Sequence, residues 1–562
     1  ELHQGVCRIA NMMLMQGVTK GDTVAVYMPM VPELAMVMLA CARIGAVHSV
    51  VFAGFSAEAL RDRIVYAKSK YVFVTDEGKR GGRTLPLKKI ADDACAGLES
   101  LVKTVFVFKR TGAKLGAGCA AGLWVEGRDV WADELMAAQR PVCPCARMDS
   151  EDLLFILFTS GSTGKPKGVA HSTAGYLLYA AMTCKESFGL REGDVHACVA
   201  DCGWITGHSY IVYGPLCNGT TTVMFESTPM YPDAGRYWEM VAKHRVTSFY
   251  TAPTAIRAVM AKGDAWVTKH DRSTLRVLGT VGEPINPEAW RWYFEVVGDS
   301  RCPIVDTWWQ TETGAHMISP MPTKGWGLKP GSASLPSLGV QPALLDPQGK
   351  ELPESDGPAE GLLAVKAPWP SALRGVWGDP KRFEETYFPF KGYYLTGDGA
   401  RRDEDGYYWI TGRVDDVVIV SGHNIGTAEV ESAVVLHPKV AEAAAVGVDH
   451  PTKGQAMYVF VTLGDEFAQA FGAEGDPALA AELRELVRSK VGAFAAPDTF
   501  HYTPTGLPKT RSGKIMRRVL RKVASLGKAV TPADLGDTST LADPSVVADL
   551  VASHAGGTKK SK

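Results

Sequence analysis

Short apolar runs separated by longer amphipathic stretches recur from the start of the chain. Val24-Ala-Val-Tyr-Met28 reads as a buried strand, and Pro32 to Ile44 as a helix that opens on proline and is followed by Gly45. Val47 to Phe52 is the next strand, Ser56 to Arg61 opens a second helix, and Tyr71 to Thr75 closes the unit. This strand–helix alternation predicts a parallel α/β sheet. Leu153 to Phe158 reads as another buried strand, and Val277 and Ile304 each begin a strand that runs into a polar loop. Thr111 to Gly122 is rich in Gly and Ala, lacks periodicity and reads as a loop. Further on, Glu429 to Leu436 and Ala480 to Lys490 read as helices, and Ala441 to Gly447 and Tyr458 to Leu463 as strands. From Lys528 onward, Pro, Gly, Asp, Ser and terminal lysines predict a loose tail.

At 562 residues the chain exceeds what one hydrophobic core supports, so two or more domains are expected. The balance of 60 Lys+Arg against 61 Asp+Glu excludes a global nucleic-acid footprint, so any anion must be bound locally. Eleven cysteines without a CxxC pair read as reduced thiols rather than a disulfide framework or zinc site. The most apolar region, Val24 to Phe52, is interrupted by Pro29, Pro32, Glu33, Arg43 and His48 and does not read as a membrane span. The chain opens at Glu1 without a Met, which suggests that an upstream segment is missing; the cytoplasm is the expected location.

The candidate chemistry centres on Thr159-Ser160-Gly161-Ser162-Thr163-Gly164-Lys165-Pro166-Lys167-Gly168. A loop this dense in Gly, Ser and Thr can turn several N–H groups and hydroxyls toward one point. Its lysines add positive charge, and a polyphosphate fits such a cradle. It is not a Walker A loop, because Pro166 stands where the second Gly of that motif belongs. Arg80-Gly81-Gly82-Arg83 could clamp a phosphate, although a solvated turn has the same composition. Ala200-Asp-Cys-Gly-Trp-Ile-Thr-Gly-His-Ser209 reads equally as a pocket wall or a buried turn. The loops after Val277 and Ile304 lie at strand carboxyl ends, where parallel α/β sheets collect ligands. Leu507-Pro-Lys-Thr-Arg-Ser-Gly-Lys514 is a second basic, Gly-containing motif, and a solvated charge run is its alternative.

Together the 159–168 loop and the Pro-Lys-Thr-Arg-Ser-Gly-Lys514 motif resemble the adenylate-forming superfamily of acyl-CoA synthetases, luciferases and peptide-synthetase adenylation domains. Within it, the chain is similar to AMP-forming acetyl-CoA synthetases up to about Val523. The resemblance implies a large N-terminal domain (1–414) of packed mixed and parallel sheets flanked by helices. A small mobile α+β domain (415–527), hinged at Asp415, would follow, then the tail (528–562). It implies ATP, coenzyme A and Mg²⁺, with Lys514 as the catalytic group bridging the carboxylate and the α-phosphate.

The 159–165 stretch, Gly282-Glu283-Pro284 and Asp306-Thr307-Trp308-Trp309-Gln310-Thr311 would surround ATP. Asp398 would hold the ribose, Arg413 and position 424 a phosphate, and Glu312 the nucleotide's Mg²⁺. Ile205, Thr206, Val281 and Trp309 would border the acyl group, the indole leaving room for two or three carbons. Arg80, Gly81, Gly82, Arg83, Thr206, Ser421, Gly422 and Arg488 would contact coenzyme A, and Val435, His437 and Val440 a second magnesium. Many relatives carry Arg where this chain has Asn424, so weaker ATP binding is expected. The lysine matching Lys514 is acetylated in relatives, which implies a lysine acetyltransferase and deacetylase as partners. A propionyl or other short-acyl ligase, a carrier-protein adenylation domain and a non-catalytic nucleotide-binding module are the alternative readings.

Overall fold

The computed structural model describes residues 1–159, 167–414, 418–420, 423–450, 454–464, 467, 476–510, 514–536, 538 and 541–553. Contacts group the chain into two compact units, one of residues 1–342 and 365–395, the other of 343–364 and 396–562. The grouping does not follow a single cut at 415. The Ala359–Val365, Tyr394–Arg402 and Tyr408–Arg413 strands share one sheet, so hydrogen bonding carries those segments into the second unit.

The first unit is built on two sheets. One has eight strands, of which Leu153–Thr159, Val47–Val50, Thr23–Tyr27, Tyr71–Thr75, Thr104–Phe108 and Asp129–Trp131 run parallel in that spatial order. The predicted helices are present as Pro32–Ile44 and Ala57–Ala67. The first ends on Gly45 in the left-handed region, and the second is capped by the Ser56 side chain. The other sheet is parallel throughout, in the order Thr221–Thr222, Val195–Cys198, Ser248–Thr251, Val277–Thr280, Ile304–Asp306. Both faces of its inner strands are covered, and Phe249, Leu278 and Ile304 are almost fully buried.

In the second unit, Gly454–Leu463 pairs with Val440–His450, Val418–Val420 and Thr499–Tyr502. The Thr427–Val435 and Pro477–Lys490 helices bury Val430, Val434, Leu479 and Leu483 in the same apolar cluster as this sheet's Val459 and Val461. The expected loose tail is corrected over its described part. Pro532–Leu535 and Ser545–Ser553 are helical, and Leu535, Leu541, Val546, Val547 and Leu550 are buried with Phe460, Val519 and Leu520. Apolar residues at helical spacing (546, 547, 550) outweigh the surrounding Pro, Gly and Asp. Among the described residues no helix is long and apolar enough to cross a membrane.

Candidate active site

The phosphate-loop motif closes an antiparallel hairpin. Leu153–Thr159 pairs with Lys167–Ser172, with Thr159 opposite Lys167. Ser160, Gly161, Ser162, Thr163, Gly164 and Lys165 lie outside the described residues. Lys167, the motif's second lysine, donates to Glu312 Oε1 at 2.7 Å. The Tyr387 hydroxyl donates to the same oxygen at 2.6 Å and also contacts the Lys167 ammonium. Burial pushes the Glu312 carboxyl up, but the Lys167 charge and the two hydrogen bonds hold it below its ordinary value. Four residues along the same strand, His171 Nε2 donates to the Thr311 carbonyl at 2.7 Å. Burial lowers this imidazole to about 4, so it is neutral and its Nε2 carries the proton. One strand therefore holds two successive residues of the 306–312 loop.

That loop leaves the all-parallel sheet where three strand ends are in register, Thr251 beside Thr280 and Thr280 beside Asp306. The loops after all three thus begin side by side at the carboxyl edge. Asp306 is buried and accepts from Thr280 Oγ1 at 2.8 Å. Burial raises its carboxyl to about 7 against the smaller opposing effect of the Thr280 and Thr307 hydrogen bonds. Gly282 has φ of 97°, a left-handed conformation that glycine alone adopts without strain, and it starts the Gly282-Glu283-Pro284 turn. Glu283 is tied to Arg257 at 2.9 Å and to Thr254. Gln310 accepts from the Tyr394 hydroxyl at 2.9 Å.

The two adjacent tryptophans separate here. Trp308 is buried and its backbone bridges Ile318, a structural place. Trp309 is half-buried, with its indole N–H on the Tyr250 hydroxyl at 3.2 Å. Val281 and Ile205 are buried, and Thr206 is half-buried in the short helix that Ile205 opens.

Arg80-Gly81-Gly82-Arg83 is the turn of a two-stranded hairpin. Gly81 and Gly82 have φ of 54° and 78°, as a two-residue hairpin turn requires. A Cβ at Gly82 would lie 2.6 Å from the Tyr231 ring. The Arg80 guanidinium lies over Phe52 at 5.0 Å and lines a small cavity with Gly54, Leu85, Asp201 and Ser227. Burial raises Asp201 to about 6, offset in part by the Gly203 N–H and Arg80. The 200–209 stretch is therefore both a tightly packed turn, with Trp204 on Phe52 at 4.4 Å, and a pocket wall. A neighbouring cleft of about 440 Å³ shares Met30 and Glu226 with this cavity.

In the second unit, Asp398 and Arg413 are paired across the Tyr394–Arg402/Tyr408–Arg413 hairpin, with Nη1 to Oδ1 at 3.3 Å. Gly397 makes room for the guanidinium, which a Cβ there would meet at 2.7 Å. Lys514 is exposed at the end of a turn whose base is set by Thr510. The Thr510 N–H donates to the Lys514 carbonyl at 2.7 Å and its hydroxyl accepts from the Lys514 N–H at 3.2 Å. The former tail braces this turn, with Ala542 N–H donating to the Lys509 carbonyl at 2.9 Å. Behind it, Arg517 grips Glu431 with bonds of 2.6 and 2.8 Å.

His437 uses both ring nitrogens, one on Glu482 at 2.8 Å and one accepting from the Lys439 N–H at 3.2 Å. Val435 and Val440 have apolar side chains, so this segment could offer a metal only main-chain oxygens. Arg488 is exposed and lies 3.9 Å from Glu485. Asp415, Ser421, Gly422 and the Asn424 side chain fall outside the described residues.

Sequence reading missed Tyr387, His171, Tyr250 and His316. No motif marks them; Tyr387 and Tyr250 reach the site from distant elements, while His171 and His316 lie just past the phosphate-loop motif and the 306–312 loop.

Residues 1–377 match the AMP-binding enzyme family, and 429–514 match the AMP-binding enzyme C-terminal domain. Acetyl-coenzyme A synthetase of Alkalilimnicola ehrlichii is 60% identical over 98% of this chain and 82% of its own length. Acetyl-coenzyme A synthetase 2 of Pseudomonas aeruginosa is 59% identical over 98% and 82%. The fold is shared with the crystal structure of the anthranilate CoA ligase AuaEII in complex with anthranoyl-AMP. That match has a TM-score of 0.79 at 23% identity, over 94% of this chain and 92% of the other. With both domains matched and the fold shared, the chain belongs to the AMP-binding, adenylate-forming enzyme family and, within it, to the AMP-forming acetyl-coenzyme A synthetases.

Proposed function

We propose that the chain activates acetate with ATP and passes the acetyl group to coenzyme A. In the first step a carboxylate oxygen attacks the α-phosphorus, and the bond to pyrophosphate breaks with its electron pair. In the second the thiol sulfur attacks the acetyl carbon, the bond to AMP breaks, and the thiol proton is released. The observation that best supports this reading is the Lys167–Glu312 pair. It ties the exit strand of a phosphate-type loop to the loop carrying Asp306 and Trp309.

Phosphoryl transfer depends on positioning and charge neutralisation, which the basic motifs supply. The exposed Lys514 would bridge carboxylate and α-phosphate, while Asp398 and Arg413 would hold ribose and phosphate. Glu312 suits a nucleotide-bound Mg²⁺, which takes one or two carboxylates and keeps phosphate and water ligands; the ion would neutralise phosphate charge. Arg80 and Arg83 would engage coenzyme A, reached when the C-terminal domain turns about Asp415 and brings Ser421 and Arg488 forward. Acetylation of Lys514 by a lysine acetyltransferase would remove its charge and silence the first step.

Carboxylate-dependent ATP–pyrophosphate exchange with acetate, propionate and butyrate tests the reading in wild type and Trp309→Gly. Exchange should be strongest with acetate and move to the longer acids in the variant. A wild-type preference for propionate would instead support the short-acyl reading.

A further inference from the structure

We propose that Tyr250 determines acyl-chain length together with Trp309, as the residue that positions the indole. The inference rests on the reading of Trp309 as the stop of the acyl pocket. Tyr250 ends no motif, and its side chain is fully buried on the Ser248–Thr251 strand.

Three groups converge on the phenol oxygen. Trp309 Nε1 is 3.2 Å away, His316 Nε2 3.1 Å and Thr307 Oγ1 2.6 Å. Indole nitrogen can only donate, so the phenol accepts from Trp309. Thr307 donates its own proton to the Thr280 carbonyl at 2.8 Å, and its oxygen is left to accept the Tyr250 proton. His316 is held neutral by burial. With the Tyr250 proton on Thr307, Nε2 must donate to the phenol, and Nδ1, 2.9 Å from Ser187 Oγ, is left to accept. Every hydrogen in the chain then has one place to go, and the polarity at the indole is fixed.

The ring bearing this oxygen has no room to follow a moving indole. Gly279 on the adjacent strand lies so close that a Cβ there would fall 2.6 Å from Tyr250 Cδ2. Phe188 closes another side at 4.9 Å. Trp309 itself is only half-buried and sits on a loop, so packing alone does not select one rotamer. Its other constraints are edge contacts with Tyr210 at 5.1 Å and His316 at 5.7 Å. Those rings are also locked together, stacked at 4.1 Å, with the Tyr210 hydroxyl accepting from the His316 N–H at 2.9 Å. The single directional bond on the indole therefore comes from a rigid block.

The test is the ratio of kcat/KM for propionate to that for acetate in wild type, Y250F, W309F, W309G and Y250F/W309F. Y250F should raise the ratio roughly three- to tenfold, the effect of about one net hydrogen bond, and leave the KM for ATP unchanged. Because W309F has no indole N–H, adding Y250F to it should move the ratio no further. An unchanged ratio in Y250F beside a shifted one in W309G would overturn the role of Tyr250 while leaving Trp309 as the stop. No shift in W309G would remove the acyl-stop reading and this inference with it. A further readout needs no Tyr250 variant to fold. The Trp309 indole N–H of the wild type, identified by its loss in W309F, should exchange slowly with deuterium in ¹⁵N-resolved spectra, and rapid exchange would overturn the proposal.

Discussion

Lys167 and Lys514 both belong to Gly-containing basic motifs, yet the fold treats them oppositely. Lys167 retains 12% side-chain exposure and lies within 2.7 Å of a carboxylate retaining 13%. Lys514 is exposed, and its main chain is held by Thr510. A buried, paired charge is held in one geometry, because separating it strands its partner in a poor solvent. An exposed charge is solvated by water, and any one pairing holds it only weakly. The first arrangement suits a fixed part, the second a side chain open to solvent.

The contrast can be broken most severely at Lys514. Replacing it with Ala should reduce acetate-dependent pyrophosphate exchange at least a hundredfold, the scale seen when one transition-state donor is removed. ATP binding by calorimetry and the melting temperature should change little. A comparable fall in stability would mean that this lysine, too, is structural.

At the other pole, Glu312→Gln should cost about 2 kcal/mol of stability, measured by denaturant unfolding, because Lys167 would be left buried without its counter-charge. The pH dependence sharpens the point. Glu312 titrates below its ordinary value, so its contribution is present above the unfolded carboxyl pKa and disappears as pH falls through the folded one. The gap between wild type and E312Q should therefore close on acidification.

Asp306 provides the opposite sign within the same loop. Its carboxyl is raised from 3.8 to about 7, so the folded state holds the proton more tightly than the unfolded chain. Stability from this group is complete below about pH 4 and is lost as pH rises toward 7. Ligand-free Asp306→Asn should flatten that part of the stability profile. An unaltered profile would show that the carboxyl is not buried as described.

Much of this was legible beforehand, and the reasons differ by element. The Pro32–Ile44 helix and the Tyr71–Thr75 strand were readable because proline, glycine and apolar runs act within a few residues of themselves. The two motifs were readable because their glycine, hydroxyl and lysine residues lie close together in the chain. The helices at 532–535 and 545–553 were not, since their burial depends on Phe460 and Val519, which local composition cannot reveal.

By itself, then, the sequence determined the alternating strands and helices, the two basic glycine-containing motifs and the family. Those are consequences of short-range sterics and of functional groups adjacent in the chain. Only tertiary structure decided which groups face one another. Lys167 finds Glu312 across 145 positions, and Tyr250 finds Trp309 across 59. Register within the parallel sheet set the second partnership and the approach of two different sheets the first, and both emerge only when whole sheets have buried their faces.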